Sequence, residues 1–175
     1  YLVISGSLNE GLSTNFYQKI ATIAKESNIK VIVDTSGEAL QKVLQTGVYL
    51  IKPNIGELAK LIGVERLELP EVEKAAKQLI ENKSAEIVVV SLGADGAILV
   101  TKHETHLVKA PKVEKKSTVG AGDSMVGGMV WALSQNKTLK EVIQIGVCCG
   151  SAATMNEGTQ LFKAEDVINL LDEIE

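Results

Sequence analysis

The chain has 175 residues, 45% of them apolar and 23% charged, which suits one soluble globular domain with a sizeable core. Lys and Arg number 18 against 22 Asp and Glu, a formal net charge of −4 that leaves no broad basic footprint for nucleic acid or an anionic membrane. Aromatics at 3% disfavour a stacking platform for single strands, and no apolar run approaches the roughly 20 residues needed to span a bilayer.

In chain order, short β-branched runs alternate with amphipathic stretches. YLVIS (1–5), KVIVD (30–34), VYLIK (48–52) and EIVVVS (86–91) read as continuous apolar strands, the pattern of a parallel sheet covered on both faces. Helical periodicity fills 13–27, 37–45, 54–62 and 71–82 between and beside them. That rhythm predicts a doubly wound, mostly parallel α/β sheet with right-handed crossovers. Segments 96–101 and 104–109 read as a β-hairpin, and three helices are expected near 120–135, 138–155 and 163–174. With no repeat, low-complexity tract or linker, one domain is the plain expectation. Tyr1 leads directly into a strand, with no signal peptide before it, so the chain reads as starting inside a fold. Cys148 and Cys149 are adjacent in a helical pattern. They offer neither a zinc spacing nor a disulfide framework, and a reducing cytoplasm is the expected home.

Ligands of open α/β sheets bind beyond the carboxyl ends of the strands. Four polar or glycine clusters fall at those ends: SGS (5–7), DTSG (34–37), KPN (52–54) and SLGADG (91–96). In KPNIGEL, Asn54 and Glu57 have the spacing of a helix capping box. The same amide and carboxylate could order a hydrated Mg²⁺, which prefers oxygen ligands and keeps its waters. Lys52 could meet a phosphate as a point charge. Gly93 and Gly96 suit either a tight hairpin or close approach of backbone to a nucleotide, and the spacing is not that of a dinucleotide fingerprint.

TVGAGDS (118–124) places small residues and then a carboxylate at the start of an apolar helix. Consecutive small residues let backbone N–H groups converge on an anion at the positive end of the helix dipole. Asp123 can then take a proton from an attacking hydroxyl, or it can simply stabilise the helix start. The small residues of CCGSAATMNEGTQ (148–160) fit close helix packing or a slot for a flat ring. His103 and His106 lack helical zinc spacing and are expected on a solvated turn. Lys109, Lys112, Lys115 and Lys116 read as a solvated face, and Trp131 as core.

STVGAGDSMVGG, KPNIGEL, VVVSLGADGA and GSAATMNEGT, in this order, resemble the ribokinase/PfkB-like carbohydrate kinases. The resemblance runs over essentially all 175 residues and matches the C-terminal half of a family member, so residues 1–175 are expected to be its nucleotide-binding and catalytic part. VISGSL, VDTSGEAL and LIKPN look most like the family's minor-type 6-phosphofructokinases, with 1-phosphofructokinases and tagatose-6-phosphate kinases close by. The likeness implies a ribokinase-like fold and glycolytic transfer of the γ-phosphoryl of ATP to a sugar phosphate, foremost fructose 6-phosphate. Asp123 corresponds to the general base, and the amides of Gly120, Ala121 and Gly122 to the anion hole. Asn54 and Glu57 correspond to the Mg²⁺ element, with Lys52 and Asn54 on the ATP side. Ser91, Gly93 and Gly96 belong to a nucleotide loop, Ser151 to an adenine-side position and Ser7 to a sugar-phosphate contact. Carbonyls of Ser117, Val119, Ala153, Asn156, Gly158 and Gln160 correspond to a monovalent-cation loop, K⁺ among the candidates. SLNEG stands where the family usually has SLPPG.

The family's first glycine-rich signature, most sugar contacts and the lid, through which some members dimerise, have no counterpart among these residues. A homodimer is an expectation for the full-length protein, and little turnover is expected of the 175 residues alone. A nucleotide-binding module without catalysis is the alternative of another class. A dinucleotide oxidoreductase shares the fold class but needs a glycine fingerprint that is missing here.

Overall fold

The computed structural model describes residues 1–174 and divides into two compact units. The first takes Tyr1–Ser91 with Leu99–Thr105, and the second takes Leu92–Ile98 and the chain from His106 on.

Four parallel strands organise the first unit: β1 (Leu2–Ser5), β2 (Val31–Asp34), β3 (Val48–Ile51) and β4 (Ala85–Ser91). The register aligns Ser5 with Asp34, Val33 with Ile51, and Ile51 with Val88, so the polar ends of the strands finish together. Consecutive residues Ile32 and Val33 are 0% and 1% exposed, as are Leu50 and Ile51 at 0% each, which means both faces of these strands are covered. Helices α1 (Phe16–Glu26), α2 (Gly37–Leu44), α3 (Ile55–Ile62) and α4 (Val72–Glu81) make the crossovers. The strands are added in sequence order, and right-handed crossovers then carry these helices along one face. Local chemistry sets their limits: Asn54 caps α3, and Gly63, at φ 78°, ends it in the left-handed conformation that glycine tolerates best. A hairpin of β5 (Ala97–Val100) and β6 (Thr105–Val108) completes a six-stranded sheet ordered β1 to β6.

The second unit begins with a 3₁₀ turn at Gly93–Asp95 and holds α5 (Ala121–Ser134), α6 (Leu139–Thr154) and α7 (Ala164–Glu173). Glycines bring α5 and α6 together. A Cβ at Gly128 would lie 2.6 Å from Cys149 Sγ, and one at Gly146 would lie 2.6 Å from Met129 Cγ. Within 148–160, a Cβ at Gly150 would lie 3.2 Å from Ala121 O, so packing against α5 accounts for that glycine. Burial pushes the Cys148 thiol up to about 12 and the Cys149 thiol up to about 11, so both are unreactive near neutral pH. Among the described residues no helix is long and apolar enough to cross a membrane.

Trp131 corrects one expectation: it is 56% exposed rather than core. On α5 the buried stripe runs through Met125, Gly128, Met129 and Ala132. Trp131 falls on the opposite stripe, with Asp123, Gly127 and Ser134, all exposed. Apolar residues lie all round α5, so composition gave no hint of which face is covered.

Candidate active site

Two clusters carry the candidate residues, one in each unit. In the first, the chain leaves β1 through Ser5, Gly6 and Ser7, all exposed. The Gly6 amide donates to Asp34 O at 3.0 Å. The Gly6 carbonyl accepts from the Thr35 hydroxyl at 2.7 Å and from the Tyr17 hydroxyl at 3.2 Å. Loop, strand end and helix are thus tied at one residue. Farther along, Lys42 Nζ lies 2.8 Å from Glu38 Oε1, which also accepts from the Thr14 hydroxyl at 3.1 Å. The Lys42 bond, then that of Thr14, holds the Glu38 carboxyl below the usual carboxylate range.

At the end of β3, the Lys52 amide donates to Val33 O at 3.2 Å, continuing the ladder by one residue. Its ammonium lies 3.1 Å from Asp34 Oδ1, with the two side chains 8% and 19% exposed. The sequence placed Asp34 in a strand-end cluster without giving it a role. Only the register of β2 against β3 makes it the partner of Lys52. Pro53 follows, and its carbonyl accepts the Ser91 amide at 3.0 Å, so Asn54 and Ser91 form a parallel bridge beyond the end of β3.

The capping box of α3 is complete. Asn54 Oδ1 accepts from the Glu57 amide at 2.9 Å, and Glu57 Oε2 accepts from the Asn54 amide at 2.9 Å. The box of α6 differs in one respect. Glu141 Oε2 takes the Thr138 amide and hydroxyl while Oε1 takes Lys137, so both oxygens are occupied. Among the described residues no bond is made to Glu57 Oε1. The cap uses one oxygen of Glu57 and leaves the other for a hydrated divalent cation, so the donor chemistry fits Mg²⁺. No group of three or more His, Cys, Asp or Glu is placed to hold a metal among the described residues. A cation here would keep most of its waters.

The glycines of 91–96 separate in role. A Cβ at Gly96, where φ is 96°, would lie 2.6 Å from Ala110 N, so the return of the chain after β6 requires a glycine there. Gly93, at φ 65°, faces open space. Close approach of a ligand is sterically available at Gly93 and not at Gly96. Thr101 shapes the hairpin turn, its hydroxyl accepting from the amides of His103 and Glu104 at 3.1 and 3.0 Å. His103, Glu104, Lys109, Lys112, Lys115 and Lys116 are exposed; His106 is half-buried.

In the second unit, Gly120 stands at φ 75° and ψ 0° as the residue before α5. This left-handed bend turns the chain so that the first amides of α5, which lack acceptors in their own helix, open the helix N-terminus. The Ala121 amide makes a long 3.4 Å bond to Thr118 O, and Asp123 lies exposed in the first turn. A Cβ at Gly120 would lie 3.1 Å from Leu161 Cδ2, so the side chain that follows α6 rests against the bend.

Two loops meet beside it. Thr154 O accepts the amides of Lys116 and Ser117 at 2.8 and 3.2 Å, and the Ser117 hydroxyl donates to Gly158 O at 3.1 Å. The Val119 amide donates to Ser117 Oγ at 3.2 Å, and Asn156 Nδ2 to Ala152 O at 3.2 Å. Ser117, Val119 and Gly158, three of the six residues expected at a monovalent cation, are thereby drawn into one set of hydrogen bonds. The Ala153 carbonyl accepts the Asn156 amide at 3.3 Å, and the Gln160 amide bonds Glu157 O at 3.2 Å. Backbone carbonyls keep a second lone pair, so this donor set fits a weakly hydrated monovalent ion. Ser151 is half-buried near the end of α6.

Comparison with known proteins gives a consistent result. Residues 1–166 match the family described as pfkB family carbohydrate kinase. The ATP-dependent 6-phosphofructokinase isozyme 2 of Escherichia coli (strain K12) is 44% identical over 166 residues, covering 94% of this chain and 54% of that protein. The 1-phosphofructokinase of Bacillus subtilis (strain 168) is 37% identical over 173 residues, covering 99% of this chain and 56% of that protein. Among solved structures, phosphofructokinase-2 from Escherichia coli in complex with potassium superposes with a TM-score of 0.94 at 42% identity, over 98% of this chain and 56% of that one. The chain spans little more than half the length of the relatives it matches.

Proposed function

The chain belongs to the pfkB family of carbohydrate kinases, and we propose that it forms the nucleotide-binding and catalytic part of an ATP-dependent sugar-phosphate kinase. Fructose 6-phosphate is the first substrate to test, because the 44% identical relative is a 6-phosphofructokinase. The observation that carries this reading is the left-handed Gly120 leading into α5 with Asp123 in its first turn.

The proposed chemistry is an in-line displacement. A sugar hydroxyl gives its proton to Asp123 as its oxygen bonds to the γ-phosphorus, and the bond to the bridging oxygen breaks to release ADP. The amides of Gly120, Ala121 and Gly122 supply donors that already point where charge develops. Ala121 gives up its long bond to Thr118 at little cost. Lys52 supplies a fixed positive charge, and the open side of Gly93 leaves room for nucleotide beside Ser91, with Ser151 on the adenine side. Ser7 faces the sugar phosphate. Mg²⁺, held through water by the spare oxygen of Glu57 with Asn54 beside it, would neutralise phosphate charge. Carbonyls of Ser117, Val119, Ala153, Asn156, Gly158 and Gln160 would hold a monovalent ion such as K⁺. Free, buried cysteines fit a reducing cytoplasm. Self-association of the complete enzyme into a dimer belongs to the same proposal.

Titration of the chain with Mg·ATP and with NAD⁺ separates a kinase from an oxidoreductase. Binding of ATP alone is expected, and its failure removes the reading. For catalysis, the chain can replace the matching half of the Escherichia coli relative. Phosphorylation of fructose 6-phosphate is expected, and Asp123→Asn in that chimera should lower kcat by about 10²–10⁴ while sparing ATP affinity. Near-normal turnover of the variant takes Asp123 out of the mechanism.

A further inference from the structure

Lys52 is unusual among the lysines in being 8% exposed, and the ends of two strands are built around it. Its amide is fixed to Val33 O at 3.2 Å, and its ammonium lies 3.1 Å from Asp34 Oδ1. Asp34 is itself immobilised. Its carbonyl accepts the Gly6 amide at 3.0 Å, and the neighbouring Thr35 hydroxyl binds Gly6 O at 2.7 Å. An ammonium has three donors, and a buried one needs a partner for each of them. Asp34 takes one donor and leaves two.

A lysine on a flexible four-carbon stem normally loses much rotamer freedom when it grips a ligand. Here that loss has already occurred, because the stem is packed and the head is tethered. We propose that Asp34 is a positioning residue: it holds the Lys52 ammonium in place at the ends of β2 and β3, with two donors left for the phosphates of a nucleoside triphosphate. The inference rests on the kinase reading. It adds that the affinity for phosphate depends on a residue that does not itself touch the nucleotide.

The test is calorimetric titration of the chain and its variants with ATP and with adenosine, with thermal melts to verify folding. Asp34→Asn is expected to lower ATP affinity about tenfold or more and leave adenosine affinity unchanged, because only the phosphates meet Lys52. Lys52→Met should have the same selective effect, and the double variant should be no worse than Lys52→Met alone, since the two residues act as one unit. Asp34→Glu, which keeps the charge, should recover part of the loss. If Asp34→Asn does not fold, Asp34→Glu and the charge-free double variant carry the comparison. A ratio of ATP to adenosine affinity that is unchanged in Asp34→Asn, or unchanged in Asp34→Glu where only that variant folds, overturns the inference alone. Additive losses in the double variant overturn it as well. Failure of the unsubstituted chain to bind ATP overturns the kinase reading and this inference with it.

Discussion

The two clusters of candidate residues are made by opposite means. At the strand ends of the first unit, side chains do the holding: buried Lys52 pairs with half-buried Asp34, Thr35 and Tyr17 converge on Gly6, and Asn54 and Glu57 close a helix cap. At the start of α5 the backbone does it, through one left-handed glycine and two exposed loops joined by the Ser117 hydroxyl and the Thr154 carbonyl. A buried ion pair is stiff because both charges lose water and need each other. A glycine bend resting on exposed loops has fewer buried contacts to resist local opening. The first arrangement suits a charge that must stay put, and the second suits donors that close around a group in transfer.

That contrast breaks most visibly at Lys52. Lys52→Met removes the ammonium and leaves Asp34 in a site only 19% exposed, so the first unit should lose about 3–5 kcal/mol of stability, measured by urea denaturation. A loss below about 1 kcal/mol would mean that water already compensates the pair, and the strand ends would then be as soft as the loops.

Gly120→Ala probes the other cluster with a smaller effect. A side chain at φ 75° carries a cost of about 1–2 kcal/mol, and the new methyl would also press on Leu161 from 3.1 Å. Stability should fall by that amount, while affinity for ATP should fall through the displaced amides. Intact ATP affinity in a destabilised variant would separate the bend from the anion hole. The two substitutions then rank the regions, the first dominated by stability and the second by binding.

The fold was largely legible because its signals are local. Each of the four continuous apolar runs became a parallel strand, and the Asn54–Glu57 spacing announced a cap that is present in full. Gly120 and Asp123 were readable for the same reason, since a glycine before an apolar helix needs no distant information. What escaped the sequence depends on register or on a neighbour. Asp34 acquires meaning only when β2 lies beside β3. Gly96 is required by a chain segment that returns after β6, whereas Gly93, close in sequence, meets nothing. Trp131 escaped because its helix is apolar on every side, so no amphipathic stripe marked the face it would take.

Caps allow the finest version of the comparison, because α3 and α6 carry the same device and only one lies at the candidate site. Both oxygens of Glu141 are engaged, by Thr138 and by Lys137, and those bonds hold its carboxyl down at about 2, from the ordinary 4.5. A depressed folded-state value means the unfolded chain takes up the proton first as pH falls. The stabilisation is therefore complete above about 4.5 and disappears as pH drops towards 2. Glu141→Gln should flatten that acid limb between the two values and lower stability modestly at pH 7, because neutral Gln lacks the charge-assisted bonds to Thr138 and Lys137 while solvent exposure limits their worth. An unaltered acid limb would show that the cap holds its carboxylate no better than water does. The same variant should leave Mg·ATP binding untouched, whereas Glu57, whose cap keeps an oxygen in reserve, sits where a cation could use it. Identical geometry with a different count of engaged oxygens is what separates a cap that only ends a helix from one that can also serve a ligand.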